Sequence, residues 1–304
     1  MKKYISSSLG MLLVSSLGLF LSSCSEEAVP AATVEIFRVV NQLEVTFTAA
    51  SLNADSYVWD FGDGQTGSDQ IVSHIYSASG TYAVTCIATG PGGTGEASSE
   101  VTVVESELSM LTGGPAAADG KSWLLSKSAS DGDGVYLANA EMDLEIPLSS
   151  NILSGLGIPS EYKDGFTFHN DDRYTHDTEN DSSMTSLAYA TLEGLPYRMG
   201  YLFITLAPFT PADDATFIYR EASGLTLDVT TDAAPEASET VTWDGYSTIE
   251  VVGDEFIGLQ DYTRKYIVFE VTPEKLVLGM FVSTTSGSNS TMPTRILRMT
   301  LVPA

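Results

Sequence analysis

The sequence predicts an all-β protein: a small β-sandwich followed by a larger, jelly-roll-like β-sandwich. Three observations carry this. Short period-2 runs rich in Val, Thr, Tyr and Phe recur from residue 34 to the end. Clusters of Gly, Asn and Asp separate them at the spacing of hairpin turns. Helical character is confined to one short stretch, 148–156. The chain has 304 residues, long enough for two domains.

The first 23 residues stand apart from the fold. Met1-Lys2-Lys3 opens a stretch that is apolar and Ser-rich from 5 to 21 and closes with Leu21-Ser22-Ser23-Cys24. Its form is that of a secretory signal peptide, too short and too Ser-rich for a spanning helix. The closing tetrapeptide resembles a bacterial lipobox, whose Cys becomes the lipidated first residue. That resemblance implies lipidation at Cys24 and attachment to the membrane through the lipid alone. Ser25-Glu26-Glu27 resembles the acidic signal by which Bacteroidota export lipoproteins to the outer face of the outer membrane. Residues 24–33 then read as anchor and tether, and the expected location is the outer membrane, facing outside.

Charge narrows the partners. There are 40 Asp+Glu against 14 Lys+Arg, a formal net charge of −26. Without Lys2 and Lys3 it is −28, from 12 basic and 40 acidic residues. Such a chain lacks the clustered Lys and Arg that nucleic acid requires, so nucleic acid is excluded as a partner. Repulsion also disfavours anionic polysaccharides. With Cys24 lipidated, Cys86 is the remaining thiol of the 2 Cys, so no intramolecular disulfide is expected. Cys86 lies on the same strand face as Tyr82, Val84 and Ala88, a core position.

The first domain spans 34–105, with strands expected at 34–40, 43–48, 57–61, 82–89 and 100–104. Its most specific segment is Tyr57-Val58-Trp59-Asp60-Phe61-Gly62-Asp63-Gly64, followed by His74-Ile75-Tyr76 and Gly80-Thr81-Tyr82-Ala83-Val84. The alternation turns Tyr57, Trp59 and Phe61 inward, and the two glycines suit positive-φ turn positions. Asp60 and Asp63 read as turn-stabilising residues rather than metal ligands. These three motifs in order resemble the PKD (polycystic-kidney-disease-type, Ig-like) domain. The resemblance implies a spacer or interaction module without catalysis of its own.

The second domain spans 106–304, entered through a linker at 106–114. Strands are expected at 123–126, 142–146, 166–169, 174–177, 201–206, 216–219, 225–229, 239–243, 248–252, 255–259, 265–271, 275–282 and 295–302. The entry Leu111-Thr112-Gly113-Gly114 with Lys121-Ser122-Trp123 resembles a module of Bacteroidota PKD lipoproteins. So does the hairpin from Phe166 to Asp177, in which Asp172 stands where that module has Gly. Such proteins resemble surface glycan-binding lipoproteins that act beside starch-utilisation-type uptake complexes. The implied function is capture of a polysaccharide, expected to be neutral such as a β-glucan, without cleavage and without a cofactor or metal.

Sugar binding needs flat aromatic faces beside amides and carboxylates. The candidates are Trp243, Asp244 and Tyr246 on one turn, Tyr197 in a loop, and Trp123 and Tyr136; Tyr189 and Tyr201 are further aromatics of the same kind. Trp243 suits core packing as well as display, and Trp123, just after the entry turn, suits the core better. A competing enzyme reading rests on Glu141-Met142-Asp143-Leu144-Glu145. On a strand its three carboxylates would share a face, which resembles the catalytic strand of family-sixteen endo-β-glucanases, with Glu141 as nucleophile and Glu145 as acid/base. An acidic edge strand is the plainer account. A third reading is a protein-interaction or adhesion lipoprotein. Asp131-Gly132-Asp133-Gly134 reads as a turn, and His169 and His176 as structural histidines.

Overall fold

The computed structural model describes residues 28–114, 117–179, 181–198, 203–231, 234–284 and 291–304. Cys24, with the leader and the export signal, lies outside the described residues, as does Tyr201. The chain divides into two compact units with the boundary between Val103 and Val104.

The first unit has strands β1 (Thr33–Asn41), β2 (Glu44–Leu52), β3 (Ser56–Asp60), β4 (Thr66–Gly67), β5 (Ile71–Ile75), β6 (Gly80–Gly90) and β7 (Gly93–Val103). They form two antiparallel sheets, β1-β2-β5 and β4-β3-β6-β7. Strand alternation sends Val45, Phe47 and Ala49 of β2 inward against Trp59, Phe61, Val84 and Cys86. Phe47 lies 5.6 Å from both the Trp59 and Phe61 rings, and Trp59 Nε1 donates to the Asp69 carbonyl at 2.8 Å.

The turn after β3 is held by its own side chains. Asp60 accepts from the Gly62 N–H at 2.9 Å, and Asp63 from the Gln65 N–H at 3.0 Å. The second Asp63 oxygen meets His74 Nε2 at 2.7 Å. His74 stacks on Phe61 with centroids 4.1 Å apart, and Tyr76 donates its hydroxyl to the Phe61 carbonyl at 3.1 Å. Every polar group of this motif therefore has a structural duty. Burial alone would raise the Asp63 carboxyl; the Gln65 N–H and His74 outweigh it and hold the group below its ordinary value.

The second unit opens with α1 (Glu107–Thr112) where a linker was expected. Ser106 caps it by accepting from Ser109 N at 3.0 Å, and Gly113 closes it at φ 84°. There follow β8 (Lys121–Leu125), β9 (Gly134–Leu137), β10 (Leu144–Pro147), α2 (Ile152–Gly155) and a 3-10 turn at Pro159–Lys163. Next come β11 (Gly165–Phe168), β12 (Tyr174–Asp177), β13 (Ser182–Ser186), α3 (Leu187–Leu192) and β14 (Ile204–Pro208). The chain ends with β15 (Thr216–Arg220), β16 (Leu225–Thr231), β17 (Ala234–Trp243), β18 (Ser247–Val252), β19 (Lys265–Thr272), β20 (Lys275–Val282) and β21 (Arg295–Pro303).

Eight of these strands form one antiparallel path, β12-β11-β8-β21-β20-β19-β18-β15. Its two ends meet: Arg173 bridges Thr216, Tyr174 N donates to Ala215 O and Phe217 N to Asp172 O, both at 2.9 Å. The sandwich expected here thus takes the form of a near-barrel whose order follows the chain around the ring. Trp123, Phe166, Phe168, Tyr174, Phe217, Tyr266, Leu278 and Leu297 fill its core. The β16–β17 hairpin covers the outer face of β19–β21, burying Trp243, Val241, Ile267, Phe281 and Ile296 in a second apolar layer. Covered on both faces, β20 is apolar almost throughout.

Three expected elements change. Residues 255–259 are not a strand: Gly258 sits at φ 70°, while Phe256, Ile257 and Leu259 are buried as an irregular segment. The helix expected at 148–156 shrinks to α2, and the strand expected at 142–146 starts only at Leu144 because Met142 adopts φ 50°.

Two stability outcomes follow for the first unit. A Cβ at Gly62 (φ 80°) would lie 2.5 Å from the Ala83 carbonyl oxygen, whereas one at Gly64 (φ 88°) meets nothing within 4 Å. Gly64→Ala is expected to cost about 1 kcal/mol from backbone strain, and Gly62→Ala about 2–4 kcal/mol because the clash adds to it, measured by urea unfolding. Because Asp63 is lowered in the fold from 3.8, its contribution is present above the unfolded value and is lost as pH falls through the folded one. The unfolding midpoint of this unit, followed through amide signals of β3 and β6, should drop below that pH, and Asp63→Asn should flatten the drop.

Candidate functional site

A cleft of about 620 Å³ opens in the second unit, within the range of small-ligand sites. The β13–β14 pair builds it. Ser182 pairs with Pro208 and Met184 with Leu206, and Phe209 N donates to Asp181 O at 3.0 Å. This places Asp181 and Ser182 beside Leu206–Pro208 along one wall. Between the two strands, α3 starts at Ser186, whose hydroxyl accepts from Tyr189 N at 3.1 Å. The chain then turns back: Arg198 N donates to Leu206 O at 3.3 Å, and the Thr205 hydroxyl donates to Arg198 O. Pro196, Tyr197 and Arg198 are thereby set on the cleft, with Tyr197 41% exposed. Ser160, from the 3-10 turn, completes the lining. Among the described residues its lining offers an aromatic face, a guanidinium, a carboxylate and two hydroxyls, a set that can hydrogen-bond and stack.

Behind Ser160 lie two buried carboxyls, Glu161 at 1% and Asp164 at 3% exposure. Ser160 Oγ donates to Glu161 at 3.2 Å, and Glu179 N donates to Asp164 at 3.1 Å. Nearby, His176 meets Glu255 at 3.1 Å among the rings of Phe166, Phe209 and Phe256, at 4.8, 5.4 and 5.0 Å. His169 bonds the Thr175 hydroxyl at 3.3 Å. A separate cavity of about 210 Å³ is lined by apolar side chains including Val135, Ile146, Leu153, Ile204, Leu297 and Met299.

The sequence-predicted residues separate into two groups. Tyr197 reaches the cleft. Trp243 does not serve a site: it is 2% exposed, its ring lies 5.2 Å from Phe281 and its Nε1 donates to Asn139 O at 2.9 Å. Trp123 is fully buried, with Nε1 donating to Leu111 O at 2.9 Å. Neither ring presents a face to solvent, which corrects both expectations. Tyr246 is half-buried, edge-on to Phe269 at 5.3 Å, and Asp244 is exposed beside it. Tyr136 is half-buried and donates to Gly132 O at 2.6 Å. Tyr136 and Tyr246 pack against the same outer apolar layer as Trp243. Half-buried Tyr189 pairs with Tyr262 at 4.8 Å.

The three-carboxylate face does not form. Glu141 and Asp143 lie in the turn around Met142, and only Glu145 is on β10. Asp143 accepts from Asn139 Nδ2 at 2.8 Å, while Glu145 receives Arg295 Nε at 2.8 Å and Nη2 at 3.3 Å. Asp133 lies in a turn, accepting from Ser130 N and the Thr300 hydroxyl at 2.8 and 2.9 Å. Among the described residues no group of three or more His, Cys, Asp or Glu is arranged to hold a metal ion.

Sequence reasoning passed over Ser160, Asp181, Ser182 and Arg198. The loop carrying Tyr197 was read as such, but the helix α3 that leads into it, signalled by the cap Ser186, was not. Trp243→Ala should destabilise the second unit by about 3–5 kcal/mol in chemical unfolding, the cost of emptying a packed aromatic site.

Comparison with known proteins matches residues 27–104 to the PKD domain family. Among solved structures, the PKD1 domain of Vibrio anguillarum Epp is 27% identical, covering 25% of this chain and 96% of that one, with a TM-score of 0.25. The PKD1 domain of the Vibrio cholerae metalloprotease PrtV is 27% identical, covering 25% and 99%, with a TM-score of 0.24. A structure titled for carbohydrate-binding modules of the β-sandwich superfamily is 14% identical, covers 84% of this chain and 62% of that one, and has a TM-score of 0.24, too low to carry an argument. No curated protein matches. The first folded unit of this chain is a PKD domain, followed by a larger β-sandwich that curls into a near-barrel.

Proposed function

We propose that this chain is a glycan-binding lipoprotein of the outer membrane that captures polysaccharide without cleaving it. The observation that carries this reading is the cleft bearing exposed Tyr197 beside Arg198, Asp181, Ser160 and Ser182. An aromatic face stacks on sugar C–H groups, while guanidinium, carboxylate and hydroxyls address the ring hydroxyls. Lipidation at Cys24 and export through Ser25-Glu26-Glu27 hold the protein on the outer face, beside an uptake complex that takes the captured polymer. The PKD domain acts as spacer. With a mature charge of −28 the favoured ligand is neutral, such as a β-glucan. The ion pair of Glu145 with Arg295 and the turn position of Glu141 support binding over hydrolysis by a Glu141–Glu145 pair.

Isothermal titration against a panel of soluble polysaccharides tests this. At least one neutral glycan should bind, and Tyr197→Ala and Arg198→Ala should each weaken it about tenfold, ~1.4 kcal/mol. Their unfolding free energies should stay within about 0.5 kcal/mol of the parent, as for exposed positions. No heat with any polymer would contradict the reading.

A further inference from the structure

The apolar cavity and the polar cleft of the second unit share two walls. One is β14, where Ile204 lines the cavity and Leu206 lines the cleft. Two residues apart on a strand, they lie on one face about 7 Å from each other. The other wall is the segment from α2 to the 3-10 turn, with Leu156 on the cavity and Ser160 on the cleft. That segment is tied into one piece. Ile158 N donates to Leu153 O at 2.8 Å, and the Tyr162 hydroxyl accepts from Leu153 N at 3.0 Å. Cavity and cleft therefore lie side by side between the same two elements.

The two spaces differ in chemistry and size. The cavity holds about 210 Å³, and among the described residues its lining side chains are apolar throughout. Such a space holds water poorly, and about 150 Å³ of it already admits a benzene ring. It falls below the roughly 300–1,000 Å³ of a site for a whole small ligand, so it suits one group of a larger molecule. Ile146 is 38% exposed, and Ile152, Leu156 and Phe203 are half-buried, so the space is reached from the surface. Met299 and Phe203 favour an aromatic ring there over an alkyl chain. A thioether and a neighbouring ring each attract an aromatic guest beyond the gain from burial.

We propose that the cavity is an aryl subsite of the cleft: the sugar lies against Tyr197 and Arg198, and an aryl group on its end enters between Phe203, Ile204 and Met299. The ligand class is then a neutral glycoside with an aryl aglycone. Neither part of such a ligand carries charge, so the −28 of the mature chain does not oppose it. The linked site rests on the cleft being the glycan site; uptake of an aryl ring by the cavity does not.

The test follows the ε-methyl of Met299 in the full chain labelled with carbon-13 methionine, with the Met110 and Met280 methyls as references. Toluene alone should shift the Met299 methyl saturably and leave the references in place. Cellotetraose and laminaritetraose are then titrated, each free and as its phenyl β-glycoside. At least one phenyl glycoside should bind about tenfold or more tighter than its free sugar, the gain expected from burying most of one ring. It should shift the Met299 methyl and the amides of Ser182 and Tyr197 with one midpoint. Filling the cavity by Ile152→Trp, or by the smaller Ile152→Phe where the first variant unfolds, should abolish the difference between phenyl glycoside and free sugar. An unmoved Met299 methyl in toluene overturns the subsite. So does a phenyl glycoside that binds like its free sugar, or a difference that survives filling. A hexyl glycoside that gains more than the phenyl one overturns the aryl assignment. A Met299 shift with toluene but no binding of any sugar, free or substituted, overturns the glycan reading and the linkage with it, leaving an aryl site alone.

Discussion

The larger unit depends on a sheet that meets itself. Seven hydrogen-bonded strand pairs carry the chain around a ring, and the ring closes through two backbone hydrogen bonds that bridge Arg173 and Thr216 where β12 passes β15. Without that closure the edges of β12 and β15 would carry unpaired N–H and C=O groups, and the core between Trp123, Phe168 and Phe217 would open to water. Two tyrosines fasten the segment after β18 to the ring. Tyr174 donates its hydroxyl to Phe256 O at 2.5 Å, and Tyr266 accepts from Ile257 N at 2.9 Å. Burial pushes the Tyr266 hydroxyl up to about 12 and raises Tyr174 as well, so both stay neutral. The closure also explains Asp172. The hairpin turn needs a left-handed residue, Asp172 supplies it at φ 64°, and its carbonyl accepts one of the closing bonds.

The cleft is a by-product of how the chain leaves the ring. Between β12 and β15 it makes the excursion β13-α3-β14, which forms a two-stranded sheet of its own. A parallel bridge from Thr185 to Gln260 and the bonds of Ser186 N and Gln260 N tie this excursion to the segment that caps the ring. Asp261, buried nearby, accepts from Ser283 N and Oγ at 2.8 and 3.0 Å and fixes the end of β20 to the same place. The wall formed by Ser182 and Leu206–Pro208 therefore stands on a braced strand pair, which suits a surface that holds its shape before a ligand arrives.

Much of this was legible from residues alone. The motif from Trp59 to Gly64 announced its turn, its inward aromatics and its Asx bonds because each depends on neighbours in sequence. The doubly buried β20 was visible as an unbroken apolar run. What sequence could not supply was the direction of the rings. Trp243 and Tyr246 flank a glycine turn, a pattern equally suited to display and to burial, and only the β16–β17 hairpin folding over β19–β21 decides that Trp243 points inward. Glu141, Asp143 and Glu145 align only if the strand begins at Glu141, and a single left-handed residue, Met142, removes that alignment.

The most direct measurement of the central claim is amide chemical-shift mapping of the isotope-labelled chain titrated with a neutral β-glucan oligosaccharide. The account predicts saturable shifts clustered at residues 160, 181–182, 197–198 and 206–207. Shifts centred on Trp243 to Tyr246 or within the PKD domain, or no shifts with any oligosaccharide, would contradict it.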